Sequence, residues 1–238
     1  MHRKQLIGVI CLMAAGLFLA GGCSTAMRQA RTMGLAGYWP MDEGSGETVG
    51  NAVGSNHGTI KDGLTWTEGK AGKALAFNGA GYVLIESAPY LNSDQYTFSC
   101  WTKLKDVSDF QYIVWRGGPE FPEPVEARTL DIWVTMSGTL SGILNFKDPD
   151  AWPLRIDGTA TVADGKWHHV VCVCDGKTAT FYVDGKKDAS AELSGALATS
   201  QFPLWIGARP GDVAATGVID EVKFFDQALS AEQVAELK

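Results

Sequence analysis

The run 217–230 contains the residues whose spacing says most about chemistry in this chain. Side chains alternate between two faces along a strand, so Asp220 is predicted to lie in an apolar row. That row consists of Val218, Val222 and Phe224. A carboxylate among apolar neighbours is costly unless it meets a cation or hydrogen-bond donors. The pattern therefore predicts an acidic group that is held either by a metal ion or by backbone amides.

Two adjacent histidines, His168 and His169, are the next residues with catalytic or metal-binding potential. Neighbours in a strand point to opposite faces, so these two cannot form a pair or share one metal. The glycines form no phosphate-binding pattern, and no serine lies in a nucleophile-elbow motif. We therefore expect the two histidines to be structural.

Short alternating runs separated by turn residues are the elements that must position these groups. The stretch 96–103 alternates cleanly, and two Asp-Gly pairs, Asp175-Gly176 and Asp184-Gly185, separate apolar runs. Such pairs favour hairpin turns that need positive φ at both central positions. Ser230 is predicted to cap a closing helix, with Gln233 completing a capping box. The pattern predicts an all-β, antiparallel two-sheet sandwich with a short C-terminal helix.

The first 22 residues resemble a bacterial lipoprotein signal peptide. Arg3 and Lys4 precede an apolar segment over 6–20, and small residues lead to Cys23. The resemblance implies that Cys23 becomes a lipid-modified N-terminus, that residues 23–36 form a tether, and that the protein is sorted to the outer membrane. The membrane side, periplasmic or cell-surface, stays open, as do ordinary secretion and an uncleaved anchor.

Charge excludes one class of partner. The chain has 20 Lys and Arg against 27 Asp and Glu, and losing Arg3 and Lys4 leaves 18 against 27, a net charge of −9. Nucleic-acid binding needs a basic surface, so we expect no nucleic-acid partner. The lipid anchor is the only membrane contact that we expect.

Three cysteines remain after the signal region, namely Cys100, Cys172 and Cys174. Cys172 and Cys174 share one strand face and are poorly placed to bridge each other. In an oxidising compartment Cys100 could pair with either of them. Alternatively, all three are buried free thiols that pack as small hydrophobic groups.

Seven motifs in a fixed order resemble the laminin-G/pentraxin-like branch of the concanavalin A-like lectin/glucanase superfamily. They are the stretches 37–46, 56–58, 72–79, 98–101, 164–170, 181–185 and 217–230. The resemblance covers residues 37–238 and implies one jelly-roll domain. Members of this branch are usually carbohydrate- or protein-binding modules, and many hold a structural calcium ion.

The same resemblance implies three calcium ligands. Asp42 follows the first predicted strand, Asn78 precedes a tight turn, and Asp220 lies near the end of the chain. Calcium takes about six to eight oxygen ligands, so carbonyl groups and water would complete the shell. Asn78 stands where many members have Asp, which lowers the expected affinity. The alternative is that the two aspartates bond to turn amides without metal.

The superfamily also contains retaining glucanases, which need two carboxyl groups about 5–5.5 Å apart. The nearest candidate strand, 131–135, offers Asp131 on a face with Trp133 and Thr135 but no second carboxylate. Asp220 and Glu221 are adjacent, and alternation predicts that they point to opposite faces. The sequence therefore predicts a protein that is not an enzyme.

Aromatic residues with polar neighbours are the candidates for ligand binding. We select Trp115, Arg116, Trp133 and Trp152, with Phe121 in a proline-rich loop. We expect a non-catalytic extracytoplasmic module that binds a polysaccharide or a glycoprotein glycan. The alternative is an adhesion or scaffold module that binds a cell-envelope protein, and a glycoside hydrolase is the least favoured class.

Overall fold

Two antiparallel sheets form the fold in the residues that the computed structural model describes, which are 28–30, 32–105, 108–117, 128–209, 211 and 214–238. Strands are numbered in chain order. Sheet A contains, in hydrogen-bonding order, β14 (Lys186–Glu192), β13 (Thr178–Val183), β12 (His168–Cys174), β7 (Tyr96–Leu104), β16 (Thr216–Phe225), β5 (Lys73–Asn78) and β4 (Thr65–Glu68), and β1 (Leu35–Trp39) also pairs with β16.

Sheet B also has eight strands. In order they are β11 (Leu154–Thr161), β10 (Thr139–Leu144), β9 (Leu130–Val134), β8 (Gln111–Arg116), β15 (Leu204–Ile206), β6 (Tyr82–Ile85), β3 (Gly58–Lys61) and β2 (Thr48–Val49). A 3₁₀ turn at Pro89–Asn92 and helix α1 at Ala231–Glu236 complete the named elements. The predicted two-sheet sandwich is therefore confirmed.

The main core lies between the inner faces of the two sheets. Strand β7 contributes Phe98, Cys100 and Leu104, all buried, as its alternation predicts. Phe181 of sheet A and Ile132 of sheet B belong to the same cluster. Burying large apolar side chains in this way is the main source of stability for such a domain.

Local turn and cap signals are also present in the structure. Asp184 and Gly185 have φ values of 51° and 73°, so this hairpin has the predicted positive φ at both positions. At Asp175-Gly176 the glycine alone has positive φ, and the Asp175 carboxylate accepts hydrogen bonds from two following amides. Ser230 and Gln233 form the predicted capping box.

The outer face of sheet A is covered by other parts of the chain. Helix α1 packs Val234 against it, and β1 contributes Leu35 to the same cluster as Val171 and Phe225. Cys100, Cys172 and Cys174 are buried free thiols, so the disulfide alternative is not present. Within the described part of the chain, no helix combines the length and apolarity needed to cross a membrane.

A β-bulge divides β16 and changes which residues face the core. β5 pairs with its first half, β1 with its second half, and the register shifts between Asp220 and Lys223. Glu221 takes a φ of 54° at this point. The predicted row was therefore wrong before the bulge, where Ile219 rather than Asp220 joins the core cluster. Val222 and Phe224 share the core face as predicted, because the extra residue resets the alternation. Asp220 and Glu221 both turn away from the main core.

Candidate functional site

The bulge on β16 gathers one group of carboxylates where β1 ends and β5 begins. Asp220 is fully buried, and its Oδ2 accepts hydrogen bonds from the amides of Lys70 (2.7 Å) and Ala71 (3.1 Å). Its Oδ1 accepts one from the amide of Glu221 at 2.8 Å. Three backbone donors therefore satisfy the carboxylate that the sequence placed among apolar residues.

Asp42 reaches the same β4–β5 turn from the end of β1. Its Oδ1 accepts a hydrogen bond from the amide of Lys73 at 2.8 Å. Gly72 has a φ of +56°, and a Cβ at this position would collide with Asp42 Oδ1. The turn thus needs glycine for both its backbone angle and its close approach to the carboxylate.

Glu221 forms a buried ion pair with Lys223. Its Oε2 accepts a hydrogen bond from Lys223 Nζ at 2.6 Å, and its Oε1 accepts one from the Tyr38 hydroxyl at 2.7 Å. Lys223 Nζ also lies 4.8 Å from the centre of the Tyr38 ring. Both members of the ion pair are buried, and each carboxylate oxygen of Glu221 already accepts a hydrogen bond.

The three residues predicted to bind calcium are not gathered in one place. Asn78 lies at the other end of β5 from Lys73, about 16 Å away at the usual strand rise. Its Oδ1 accepts hydrogen bonds from the amides of Ala80 and Gly81. No group of three His, Cys, Asp or Glu residues suited to a metal occurs among the described residues. The donor set does not fit the expected ion in this arrangement, and calcium stays a prediction.

Burial also favours the neutral forms of these two aspartates. It raises the pKa of Asp220 to about 7, against the lowering effect of its backbone hydrogen bonds. Burial likewise raises the pKa of Asp42, with a smaller contribution from Glu221. Metal ligation requires the ionised carboxylate. The environment of Asp42 and Asp220 therefore disfavours a cation unless its binding free energy exceeds the cost of desolvating the ionised carboxylates.

The histidines are held by neighbouring side chains. His168 contacts Asp184 Oδ2 at 2.9 Å and Asp164 Oδ1 at 3.0 Å, whereas His169 Nε2 contacts Ser99 Oγ at 2.8 Å. Burial lowers the pKa of His169 to about 3, so this imidazole is neutral at pH 7. These contacts join strands and turns, in agreement with the expected structural role.

The outer face of sheet B carries a second group, which we call the aromatic face: Tyr82, Tyr112, Trp115, Trp133 and Trp205. Tyr112 lies opposite Trp133, and Trp115 lies opposite Trp205, in neighbouring strands. A register shift between Tyr112 and Val114 puts Tyr112 and Trp115 on the same side of β8. A bulge therefore assembles this surface too.

The rings of the aromatic face contact one another. Tyr112 lies 6.1 Å from both Trp115 and Trp133, and Tyr82 lies 4.4 Å from Trp205, measured between ring centres. Trp115 is fully buried, and Trp133 is only 7% exposed. Tyr82 and Trp205 are partly exposed. The accessible aromatic pair is thus Tyr82 and Trp205, with the other rings beneath or beside it.

Three guanidinium groups lie over these rings. The Cζ atoms of Arg128 and Arg209 are 5.0 Å and 4.6 Å from the centre of the Trp115 ring. Arg155 Cζ is 5.6 Å from the centre of Trp133. Contacts of this kind stabilise a cation over an aromatic ring.

Two indole N–H groups on this face have no hydrogen-bond acceptor among the described residues. They are Trp115 Nε1 and Trp205 Nε1, and both atoms are buried. A buried polar group without a partner costs about 1–3 kcal/mol, so such groups usually have a ligand, a water molecule or an ion. Because both nitrogens are buried, the part of this face that a ligand can reach is the Tyr82–Trp205 pair.

The predicted ligand-binding residues have different environments. Trp133 and Trp115 both lie on the aromatic face, but the Trp115 ring is fully buried. Trp152 is 89% exposed and precedes β11, four strands away from Trp205. Phe121 lies outside the described residues.

Arg116 is a correction to the sequence prediction, because it points away from the aromatic face. It is 1% exposed and pairs with Leu130 on the inner side of β8. Its guanidinium donates hydrogen bonds to five acceptors: Leu91 O, Asn92 Oδ1, Thr129 Oγ1, Ser87 Oγ and Ser200 O. Arg116 therefore joins three segments of the chain rather than offering donors to a ligand.

Two carboxylates of the described residues lie on the aromatic face. Asp131 on β9 and Asp157 on β11 share this face, two strands and two residues apart, so their Cα atoms are about 12 Å apart. Asp157 is also bonded to Ser141 Oγ (2.6 Å) and Arg155 Nε (3.0 Å).

Sequence reasoning missed several residues of this surface, namely Tyr82, Tyr112, Trp205, Arg128, Arg155 and Arg209. Trp205 could have been found from the sequence, because it lies between Leu204 and Ile206 in a short strand. Alternation puts its side chain on the opposite face from these two core residues. Tyr112 could not have been found in this way, because simple alternation puts it on the opposite face from Trp115.

Comparison with known proteins agrees with this architecture. A family model described as the concanavalin A-like lectin/glucanases superfamily matches residues 77–235. No curated protein matches the chain. Domain 4 of AbnA, a GH43 extracellular arabinanase from Geobacillus stearothermophilus in complex with arabinotriose, has a TM-score of 0.66 at 20% identity over 85% of this chain and 97% of that one.

Two other solved structures are similar in fold. The Ruminococcus gnavus IT-sialidase CBM40 bound to α2,3-sialyllactose has a TM-score of 0.59 at 16% identity, covering 68% of this chain and 94% of that one. The binding domain of botulinum neurotoxin DC in complex with SialylT has a TM-score of 0.64 at 12% identity, covering 86% of this chain and 50% of that one. At these identities the likeness establishes the fold.

Proposed function

We propose that this chain, which belongs to the concanavalin A-like lectin/glucanases superfamily, is a non-catalytic carbohydrate-binding module whose site is the aromatic face of sheet B. The observation that carries the proposal is the partly exposed Tyr82–Trp205 pair beside the other rings of the aromatic face. Binding sites typically combine such apolar platforms with a few well-placed polar groups.

Similar structures support the carbohydrate proposal. Domain 4 of the arabinanase was solved with arabinotriose, and the sialidase CBM40 was solved with sialyllactose. Some neighbours come from glycosidases, but Asp157, one of the two described carboxylates of the aromatic face, is already bonded to Ser141 Oγ and Arg155 Nε. A binding role therefore fits the described residues better than hydrolysis.

Alanine variants of two tryptophans test the proposal. We expect Trp205→Ala to weaken glycan binding about tenfold or more, because it removes half of the accessible aromatic pair. Trp152→Ala is the matched control, since it removes an exposed indole elsewhere. A glycan array followed by titration calorimetry on the best ligand gives the measurement. Loss of binding in Trp152→Ala but not in Trp205→Ala would move the site to the loop before β11.

A protein-binding adhesion or scaffold module is the second candidate function. Trp152 favours it, because a large apolar side chain that is 89% exposed is common at protein interfaces. A pull-down from cell-envelope extract with wild type and Trp152→Ala distinguishes the two. A partner captured by wild type alone, together with no response on the glycan array, would support this second candidate instead.

We further propose that Cys23 carries a lipid that anchors the protein at the outer membrane, with the mature chain beginning at this residue. The support is the sequence of residues 1–23, which lie outside the described part of the structure. Palmitate labelling of wild type and Cys23→Ala, followed by membrane fractionation, tests the anchor. Equal labelling of both proteins, or wild type in the soluble fraction, would refute it.

A further inference from the structure

The N-terminal part of the chain joins the sandwich at one end, which we call the entry end. There β1 begins at Leu35 and β16 finishes at Phe225, and these two residues lie opposite each other. Just before them, Ala30 and Met33 pack against the apolar cluster on the outer face of sheet A. The described residues begin at 28, five residues after Cys23, and five extended residues span at most about 18 Å. An anchor at Cys23 would therefore hold the entry end close to a bilayer.

Trp152 lies at the same end of the sandwich, in the loop 147–153 between β10 and β11. An ion pair joins this loop to the residues just before β7, with Lys147 Nζ 3.5 Å from Asp94 Oδ1. Strand β7 begins at the entry end, because its Thr97 lies opposite Phe225. The exposed indole and the start of β1 therefore face the same way along the sandwich.

The loop 147–153 is an ordered turn that presents the Trp152 side chain to solvent. The Oδ1 atom of Asp148 accepts a hydrogen bond from the Asp150 amide at 3.0 Å, and its carbonyl oxygen accepts one from the Ala151 amide at 3.2 Å. Trp152 is 89% exposed, more than any other large apolar side chain among the described residues. An indole combines a large apolar surface with one polar N–H, and such rings are enriched where a membrane meets water.

Resting on the lipid anchor proposed above, we propose that Trp152 is a second membrane contact, with its indole in the headgroup region of the bilayer that holds Cys23. Strand β11 adjoins β14, since Asp188 accepts a hydrogen bond from the Thr159 amide at 3.0 Å. Five strand steps, about 24 Å, separate β14 from β1 in sheet A. Two contacts this far apart restrict the tilt of the domain, which a single anchor does not.

The lipid surface that fits this loop is zwitterionic. The loop 147–153 contains two aspartates and one lysine, so an anionic surface would repel it. Its contact with the bilayer therefore depends on the indole ring rather than on charge. The aromatic face is a lateral face of sheet B and not an end of the sandwich, so this orientation leaves the Tyr82–Trp205 pair open to a glycan.

Fluorophores attached at the two ends of the sandwich test the proposed orientation. The full lipidated chain is reconstituted in phosphatidylcholine vesicles whose headgroups carry a nitroxide quencher. One label is attached at Asp150→Cys, and the other at Met136→Cys in the β9–β10 turn. That turn lies at the opposite end, because Val134 pairs with Gln111, which accepts a hydrogen bond from the amide at the start of β16. We expect the label at 150 to lose most of its fluorescence and the label at 136 to keep it.

Removal of the indole tests the contact itself. We expect Trp152→Ala, combined with Asp150→Cys, to abolish the quenching at 150 while the protein stays in the membrane fraction through Cys23. Met136→Ala combined with Asp150→Cys is the matched control, since Met136 is an exposed apolar residue at the other end. This control should be quenched as strongly as Asp150→Cys alone.

Labelling of the parent chain separates failure of the anchor from failure of the contact. Cys100, Cys172 and Cys174 are buried, so a parent chain whose Cys23 carries lipid should take up no fluorophore. Labelling at Cys23 would overturn the anchor. Equal quenching of the two labels, or quenching that Trp152→Ala does not change, would overturn the membrane contact while the anchor stands. A protein captured through Trp152, with the label at 150 unquenched in vesicles, would also overturn it and support the protein-binding candidate.

Discussion

Replacement of Arg116 by methionine tests whether this residue stabilises the fold or binds ligand. Its Nη1 donates to the carbonyl oxygen of Leu91 at 2.8 Å, and its Nη2 donates to that of Ser200 at 2.6 Å. Both bonds are buried. Burial lowers the pKa of Arg116 to about 10, so the guanidinium is charged at pH 7 and each bond is charge-assisted.

The expected loss of stability follows from the groups that methionine leaves behind. Each of the two carbonyl groups loses a charged donor in the interior, at about 1–3 kcal/mol. Three side-chain acceptors also lose their donor, but some of them can rotate toward other partners. We therefore expect the free energy of unfolding to fall by about 4 kcal/mol, which is a large part of the 5–15 kcal/mol typical of a domain.

Urea denaturation at pH 7, followed by tryptophan fluorescence, measures this change. In a thermal scan of the same variant, the melting temperature should fall by roughly 10 °C, given about 2–4 °C per kcal/mol for a domain of this size. Arg155→Met is the control, because that side chain is 57% exposed and should change stability by less than about 0.5 kcal/mol. Unchanged stability in Arg116→Met together with lost glycan binding would refute this reasoning and restore the ligand role.

Three further predictions follow from burial. Trp152→Ala should leave the melting temperature unchanged within about 1 °C by differential scanning fluorimetry, because the side chain makes little buried contact. The three thiols of the sandwich should resist iodoacetamide until urea unfolds the chain, since burial raises the pKa of Cys174 to about 11 and that of the other two further; rapid labelling in buffer would contradict their burial. Asp220 has a raised pKa of about 7 against 3.8 unfolded, so its contribution is complete below about pH 4 and is lost as pH rises through 7. In EDTA, raising the pH from 5.5 to 8 should therefore lower the melting temperature of the wild type relative to that of Asp220→Asn, a comparison in which the opposite contribution of His169, whose pKa burial lowers to about 3, is common to both proteins; a rise in melting temperature on adding calcium at pH 8 would instead show the metal predicted from the sequence.

Local signals predicted the elements of this fold well. The Asp184-Gly185 turn, the Ser230 cap and the alternation of β7 each depend on neighbouring residues alone, and each is present. The sandwich followed from many such signals that agreed with one another. These signals did not predict on which side of the sheet a residue lies after a β-bulge.

Bulges account for the principal errors in the candidate sites. Alternation put Asp220 and Glu221 on opposite faces, but the shift before Lys223 turns both of them away from the core. Alternation likewise separated Tyr112 from Trp115, and the shift before Val114 brings them together. One extra residue reverses the side-chain pattern beyond it, and no composition signal marks where it is inserted.

The two bulges have different consequences in the two sheets. On sheet A the bulge turns Asp220 toward the β4–β5 turn and Glu221 toward Tyr38, so its carboxylates bind neighbouring parts of the same chain. Helix α1 then packs on that face. On sheet B the bulge places Tyr112 and Trp115 together on the aromatic face. The partly exposed Tyr82–Trp205 pair lies on sheet B, whereas α1 packs on the outer face of sheet A, and this difference is why we assign ligand binding to sheet B.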